Sequence, residues 1–288
     1  MPRSQNDTGR AYEYAIVDYF ENQGYVLGPL ASYHSSLYED YFLAQTPATQ
    51  RDFQESATDF FNWFKSNFAS NVSKYVDGLP DNSGSVVDIF IGDPGAEINF
   101  SLKHNHLALR HNRPHGLPER CGISETSESG MYLNAVYQIE KSMREEDPVQ
   151  KFSQLADKRK WMKAINENCR KFLVSWQASI PATVPNYFGF LTGNDRPYYK
   201  LVLNSGGTNR GSYIHEFLSS TLPKQVQFSF NTSDHLVMKY DNDWILKKRL
   251  HNAQSNLGDL NMKSYSQTTD WKWDVSLVSH PHPSIYKI

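Results

Sequence analysis

The chain has 288 residues, of which 39% are hydrophobic and 14% aromatic, and its formal net charge is −2 at pH 7. This balance excludes a uniformly basic nucleic-acid-binding protein, although a locally basic surface stays compatible with it. Two cysteines are too few for a disulfide framework or a zinc ribbon, and no apolar stretch reaches the roughly 18 residues of a membrane span. We therefore expect a cytoplasmic protein with no membrane partner.

The first part of the chain is predicted to be mainly helical. Residues 4–24 fit a capped helix, in which Tyr12, Ile16 and Phe20 recur every four residues. Residues 35–75 fit further helix with an aromatic stripe, which we interpret as core packing. Residues 147–176 predict one or two more helices.

Two strands interrupt this helical part, and more strands follow it. The sequence SVVDIFIG, then the turn DPG, then AEINFSLK predicts a hairpin over residues 85–103. The segment HNHLALRHN after it has helical character. Residues 185–203 fit a second hairpin across GND, and the remainder reads mainly as short strands.

We predict an α+β fold with an α/β core: a mixed sheet flanked by helices, followed by a strand-rich C-terminal part. Residues 1–176 would hold the helical N-terminal region and the core with the first hairpin. Residues 177–288 would hold the strand-rich region, either as a second domain or as a continuation of the first.

The strand EINFSLK alternates strictly between polar and apolar residues. Glu97, Ser101 and Lys103 share one face, because successive side chains of a strand point to opposite faces. Asp88 lies on the preceding strand, so a short turn would bring it to the same small sheet. We expect Asp88, Glu97 and Lys103 to converge at one end of the hairpin.

Two acids and a lysine are the groups that a Mg²⁺-dependent phosphodiesterase needs. Mg²⁺ prefers oxygen ligands, which Asp88, Glu97 and the backbone carbonyl of Leu102 would supply. The ion would activate the attacking water, and Lys103 would position that water and offset the developing negative charge. The alternative is an ordinary exposed face of a strand.

The pattern resembles the PD-(D/E)xK nuclease core, with Val87 at the usual proline and Ser101 at the usual second acid. The blocks NDTGRAYEY, EINFSLKHNHLALRH, DWILKKRLHNAQS and KWDVSLV are together similar to the HaeIII-type restriction endonucleases. The resemblance implies that the Ser-x-Lys variant is a trait of this family and that the chain has a restriction-endonuclease-like fold. The resemblance implies cleavage of duplex DNA at the palindrome GGCC, with Mg²⁺ as cofactor.

The resemblance also assigns roles to individual residues. A glutamate on the first helix approaches the metal in many related nucleases, which makes Glu13 a secondary metal candidate. By the same likeness, a homodimer would act on the palindrome, and a companion DNA methyltransferase would protect host DNA. The residues matched as catalytic or supporting are Asp88, Glu97, Ser101, Lys103, His104, Asn105 and His106.

The contiguous triplet His104, Asn105 and His106 does not reproduce the geometry of His-Asn-His nucleases, whose residues stand well apart in sequence. The spacing to His111 matches no strong zinc signature. We expect these side chains to contact phosphates or to orient substrate near Lys103, and plain surface histidines are the alternative.

The basic segments KHNHLALRHNR and WILKKRLHN and the loop NSGGTNRGSY provide candidates for DNA contacts. Arginine pairs with guanine edges, asparagine and glutamine pair with adenine, and lysine suits phosphates. A basic strand end or a surface loop in solvent is the alternative for each segment. The predicted DNA-contacting residues are Arg10, His111, Arg113, Arg210, Lys247, Lys248, Arg249, His251, Asn252 and Gln254.

Three functions remain open at this point. A type II restriction endonuclease would cut duplex DNA at a short GC-rich palindrome and leave 5′-phosphates. A repair or recombination nuclease on the same core would show weak sequence preference. A DNA-binding protein without chemistry would bind in a salt-sensitive manner and not cleave.

Overall fold

The computed structural model contains seven α-helices and two β-sheets within the residues that it describes. The predicted α+β class, with a mixed sheet flanked by helices, is confirmed. The described residues are 5–68, 71–79, 85–124, 126–149, 151–193, 197–208, 210–217, 221–232, 235–252, 271–281 and 285–288.

The chain divides into two compact units that do not follow the predicted boundary at residue 176. The first unit combines Met1–Leu107, Arg196–Ser220 and His282–Ile288, and the second combines Ala108–Asp195 and Thr221–Pro281. The strands over residues 198–217 belong to the first unit because they pair with its central hairpin rather than with the later strands.

Three helices of the first unit carry the aromatic stripes that the sequence predicted. Tyr12, Ile16 and Phe20 are all buried on the first helix, and Phe60 and Phe64 are buried on the third. These side chains form one core with the sheet, so the predicted core role of the stripes is confirmed. The helices are α1 (Gln5–Asn22), α2 (Pro29–Leu43) and α3 (Pro47–Phe68).

A seven-stranded mixed sheet forms the rest of the first unit. Its order is β1-β2-β3-β4-β5-β6-β11; β1 is parallel to β2 and β4 is parallel to β5, whereas the other neighbours are antiparallel. The strands are β1 (Val26–Leu27), β2 (Tyr75–Gly78), β3 (Ile89–Ile91), β4 (Ile98–His104), β5 (Tyr198–Asn204), β6 (Gly211–Phe217) and β11 (Ile285–Lys287).

The predicted hairpin is present as β3 and β4, which pair from Ile91–Ile98 to Ile89–Phe100. Phe100 and Leu102 face the core, as the alternation of EINFSLK predicted. The opposite face of β4 therefore carries Ser101 and Lys103.

The second unit holds four helices and a four-stranded antiparallel sheet of order β10-β9-β8-β7. Thr126 and Ser129 form a capping box at the start of α5, and Asp157 caps α6. The elements are α4 (Leu117–Arg120), α5 (Ser127–Glu146), α6 (Lys158–Ser179), α7 (Thr183–Thr192), β7 (Val226–Thr232), β8 (His235–Tyr240), β9 (Ile245–Asn252) and β10 (Trp271–Ser279).

Two local predictions are wrong. The segment PNYFGFLT is helix α7 rather than a strand; it ends at Gly193, which has φ +72°. Residues 104–112 are not helical; Ala108 and Asn112 instead form isolated bridges to Ser276 and Trp273. None of the helices formed by the described residues is long and apolar enough to cross a membrane.

The start of α2 is held by a side chain from the sheet next to the hairpin. Asp77 of β2 accepts hydrogen bonds through Oδ1 from the backbone N–H groups of Leu30 at 3.0 Å and Ala31 at 2.8 Å. Gly28 leaves room for this carboxylate, since a Cβ there would lie 2.2 Å from it. Asp77 thus performs the capping role that α2 lacks locally.

Replacing Asp77 with alanine should lower the free energy of unfolding by about 1–2 kcal/mol, because the first N–H groups of α2 lose their acceptor. Urea denaturation of Asp77→Ala measures the loss. Glu55→Ala, an exposed change on α3, is the control and should stay within about 0.5 kcal/mol of the wild type. Equal stabilities of the two variants would contradict the capping role.

Candidate active site

The carboxylate of Asp88 is the centre of the candidate site. Asp88 stands one residue before β3, opposite Ser101 when the register of the β3–β4 pair is continued. Its Oδ2 accepts hydrogen bonds from the backbone N–H of Leu102 at 2.6 Å, from Lys103 Nζ at 2.9 Å and from Ser101 Oγ at 3.2 Å. The predicted meeting of Asp88 with Lys103 is present.

The pair of charges remains accessible although three donors hold it. The side chains of Asp88 and Lys103 are 30% and 22% exposed, whereas Ser101 is buried. The three hydrogen bonds that the described residues donate to this carboxylate all go to Oδ2. A phosphate that reached this rim would meet one carboxylate oxygen and one ammonium.

The backbone of Leu102 adds an oxygen on the same side. In a strand the N–H and C=O of one residue point toward the same neighbour, and the Leu102 N–H points toward Asp88. The Leu102 carbonyl therefore also faces that side. The Leu102 oxygen and the Asp88 carboxylate fit Mg²⁺, which is bound in proteins through one or two carboxylates together with waters and substrate phosphates.

Glu97 does not join this group, which corrects the prediction that it shares a metal with Asp88. Alternation places it on the face of Ser101, but four residues of extended chain separate the two by about 13 Å. Its Oε2 accepts a hydrogen bond from the backbone N–H of Gly95. Glu97 thus holds the turn between β3 and β4, and the described residues contain no cluster of three or more His, Cys, Asp or Glu side chains.

Glu13 pairs with the neighbouring helix. Its Oε1 lies 3.2 Å from Nδ1 of His34, so the contact joins α1 to α2. Both side chains are largely buried. The assignment of Glu13 to a metal stays a prediction.

His104 and Asn105 close the end of β4 against β5. Asn105 adopts the left-handed conformation with φ 62°, which asparagine tolerates better than most residues. Its Oδ1 accepts a hydrogen bond from the Ser205 N–H at 2.8 Å, and His104 Nε2 lies 2.8 Å from Ser205 Oγ. Burial lowers the pKa of His104, against an opposing effect of Asp52. These two residues shape the strand end, while His106 is exposed in the following loop.

Lys200 is a residue of this site that sequence reasoning missed. It pairs with Ser101 across the parallel strands β4 and β5, so its side chain lies on the Asp88 face of the sheet. The residue is 1% exposed, and its Nζ lies 5.0 Å from the ring centroid of Phe217. A single lysine within the apolar strand YYKLVL was the available signal.

The charge state of Lys200 is coupled to the candidate site. Burial lowers the pKa of Lys200 well below its ordinary value of 10.5, Lys103 lowers it further, and Asp88 acts in the opposite direction. His215 is the paired residue on the other side, in β6. Lys200 therefore adds a buried amine next to the Asp88–Lys103 pair, and this amine resists protonation.

Two predicted DNA contacts in the first unit are engaged with protein groups. The guanidinium of Arg10 lies 5.6 Å from the ring centroids of Tyr38 and Tyr41 on α2. Arg210 is exposed and forms an ion pair with Asp52 at 2.6 Å. Their contacts with DNA remain predictions, and a phosphate at Arg210 would compete with that ion pair.

Lys248 corrects the prediction of a phosphate contact, because it is fully buried in the second unit. Its Nζ lies 3.6 Å from the centroid of the Trp273 ring and donates hydrogen bonds to Tyr187 Oη at 2.6 Å and Cys169 Sγ at 3.5 Å. Tyr187 in turn donates to Asn112 Oδ1 at 3.1 Å. Lys248 is thus part of an internal polar network.

Lys247, Arg249 and His251 alternate with Lys248 along β9 and point to the opposite face of the sheet. Arg249 is exposed, and His251 Nε2 lies 2.8 Å from Asp274 Oδ2. Lys247 and His251 are half-buried, and the contacts of all three residues with DNA stay predictions. His111 and Arg113 are exposed in the loop before α4, the side chain of Asn252 is not described, and Gln254 lies outside the described residues.

Glu97→Gln should leave DNA cleavage within about threefold of the wild type, because the carboxylate lies at the turn and about 13 Å from Ser101. Initial rates on a supercoiled plasmid with Mg²⁺ measure the effect. Asp88→Asn in the same assay is the matched comparison and should lose at least about a hundredfold. A comparable loss in both variants would restore Glu97 as a metal ligand.

Lys200→Met should stabilise the protein, and more so at pH 7 than at pH 10. The unfolded lysine binds a proton below its ordinary pKa of 10.5, whereas the folded lysine resists it, so the wild type loses stability as the pH falls below that value. We expect a gain of at least about 1 kcal/mol at pH 7 from urea denaturation. Lys65→Met, an exposed change on α3, is the control. Equal gains at the two pH values would show that Lys200 is charged in the folded protein.

No protein-family model matches the chain, and the search of curated proteins finds no match either. The likeness to the HaeIII-type enzymes accordingly rests on the quoted sequence blocks alone. The geometry of the site is the basis for the function proposed below.

Proposed function

We propose that the protein is a Mg²⁺-dependent endonuclease that hydrolyses phosphodiester bonds in duplex DNA. The observation that carries the proposal is the contact of Asp88 with Lys103 at the end of β4, where both side chains are partly exposed. An acid and a lysine on adjacent strands, with a backbone carbonyl between them, supply the groups that this reaction uses.

Each protein group has a defined part in the reaction. The Asp88 carboxylate and the Leu102 carbonyl would hold Mg²⁺, which when bound supplies Lewis-acid activation of the scissile phosphate and a more acidic water. Lys103 places its ammonium beside the carboxylate and would offset the negative charge that develops on the phosphate oxygens. A water oxygen bonds to phosphorus, the bond to the 3′ oxygen breaks, and that oxygen takes a proton, which leaves a 5′-phosphate.

Ser101 explains how the site is ordered with one acid. Its hydroxyl donates to the same Asp88 oxygen as Lys103 and the Leu102 N–H. A carboxylate at position 101 would repel Asp88 at this distance unless a cation lay between them. Serine therefore keeps Asp88 in place without a bound ion, and substrate phosphates and waters would complete the coordination of Mg²⁺.

The more specific parts of the proposal rest on the sequence resemblance. A type II restriction endonuclease of the HaeIII type would cut GGCC as a symmetric homodimer, one active site for each strand. A methyltransferase acting on the same site would accompany it, and the protein would work in the cytoplasm. Plasmid digestion separates this from a repair or recombination nuclease, since discrete fragments indicate a specific site and a smear indicates weak preference.

A DNA-binding protein without catalysis is the second candidate, and the position of Glu97 favours it. With Glu97 at the turn, the described part of the chain brings only one acid, Asp88, to the lysine. Such a protein would bind DNA in a salt-dependent manner and leave it intact. Digestion with and without Mg²⁺ distinguishes the two functions.

Lys103→Ala should lower the cleavage rate by about a hundredfold to a thousandfold, because the developing charge loses its cation. Binding of a labelled duplex in EDTA should stay within about threefold, since one phosphate contact contributes little to total affinity. Sequencing the fragment ends of the wild-type digest identifies the cut position and the 5′-phosphate.

Lys65→Ala on α3 is the matched control for this substitution and should cleave like the wild type. Cleavage by Lys103→Ala at the wild-type rate would sink the assignment. If the wild type binds duplex DNA but never cuts it in the presence of Mg²⁺, the protein is the non-catalytic DNA-binding protein and not the nuclease.

A further inference from the structure

One face of the four-stranded sheet in the second unit is apolar and the other is basic. Leu246, Lys248 and Leu250 of β9 are buried, and the residues between them point the opposite way. The neighbouring strands follow the same alternation, with Trp273 and Val275 buried on β10. The charged or titratable residues on the open face, called here the basic face, are His235, Lys239, Lys247, Arg249, His251, Lys272 and Asp274.

The register of the strands places these residues in neighbouring rows. Arg249 pairs with His235 on one side and with Asp274 on the other, and His251 pairs with Lys272. Adjacent strands lie about 4.8 Å apart, so residues in one row are direct neighbours. Lys247, Arg249 and His251 thus lie in successive rows of β9, and further cationic residues lie on β8 and β10 beside it.

The basic face differs in sign from the whole chain. Among the residues that the structure describes, it carries four lysine and arginine residues against one aspartate, whereas the formal net charge of the chain is −2. The aspartate lies within the cationic rows: Asp274 lies 2.8 Å from His251 Nε2 and 3.6 Å from Lys272 Nζ. Like charges gathered in this way repel one another, and a polyanion that neutralises them relieves the repulsion.

The dimensions suit a nucleic-acid backbone. Lys247 and His251 lie four residues apart on β9, which is about 13 Å along the strand. Over the same length of helix axis one DNA strand carries about four phosphates. Lys239 and Lys272 widen the group on either side of β9, because they lie on β8 and β10.

We propose that the basic face docks the phosphate backbone of duplex DNA. The choice of duplex DNA among polyanions rests on the proposed function, but the docking role does not require cleavage. Lys239 and Lys272 were not among the residues predicted from sequence, so they test the surface independently of the basic segment around Arg249. Lysine contacts to phosphate add affinity and salt dependence without sequence preference.

Equilibrium binding in EDTA tests the inference without any cleavage step. A fluorescein-labelled 20-base-pair duplex is titrated with the full chain at several NaCl concentrations, and anisotropy gives the dissociation constant. In Lys239→Gln/Lys272→Gln the slope of log affinity against log salt concentration should fall by about 2, and affinity near 0.1 M salt by about tenfold. Circular dichroism and thermal unfolding confirm that the variant is folded.

Lys163→Gln/Lys171→Gln removes two exposed lysines of α6 in the same unit and is the matched control. It should keep the wild-type slope. Equal slopes for the wild type and for Lys239→Gln/Lys272→Gln would overturn the proposal, as would the absence of duplex binding by the wild type. Tighter binding of polyglutamate than of duplex would show that the face takes an acidic polypeptide instead.

The two proposals fail separately. If Lys239→Gln/Lys272→Gln loses salt-dependent binding and the wild type never cleaves DNA, the docking surface is supported and the nuclease proposal fails. If the wild type cleaves DNA and this double variant binds like the wild type, the nuclease proposal is supported and the docking surface fails.

Discussion

The hydrogen bonds that converge on one oxygen of Asp88 order the candidate site. Strand β3 begins at Ile89, so the N–H of Leu102 on β4 extends past the paired part of the hairpin. The Asp88 side chain takes the place that a backbone carbonyl would otherwise fill. The same oxygen receives Lys103 and Ser101. The Asp88 oxygen that completes the hydrogen bonding of β4 is therefore the same oxygen that aligns the carboxylate with Lys103.

This arrangement makes the site sensitive to the sheet on both sides. Lys200 lies next to Ser101 on β5, and its buried amine influences the same cluster. His104 and Asn105 end β4 through contacts with Ser205, which keeps Lys103 close to the last paired residues. A substrate phosphate would consequently meet groups fixed by β3, β4 and β5, which is the kind of rigid support that precise catalysis requires.

The sequence predicted the hairpin and the meeting of Asp88 with Lys103, because alternation and a short turn determine the face and the register of adjacent strands. It misplaced Glu97, since alternation assigns a face and says nothing about distance along the strand. Lys248 was also misassigned, although Leu246 and Leu250 at the same parity indicated a buried position. Lys200 was missed because its parallel partner stands 99 positions earlier in the chain, at Ser101. Pairing over such a separation is set by tertiary packing rather than by local pattern.

The burial of the two cysteines has a practical consequence. The chain has two cysteines, and both are buried in the second unit, where burial raises the pKa of Cys121 and of Cys169. Thiolate is the reactive form of cysteine, so both native thiols are poor nucleophiles in the folded protein. A single cysteine engineered onto the surface could thus carry a maleimide dye or spin label at one known position, with the two native cysteines left in place.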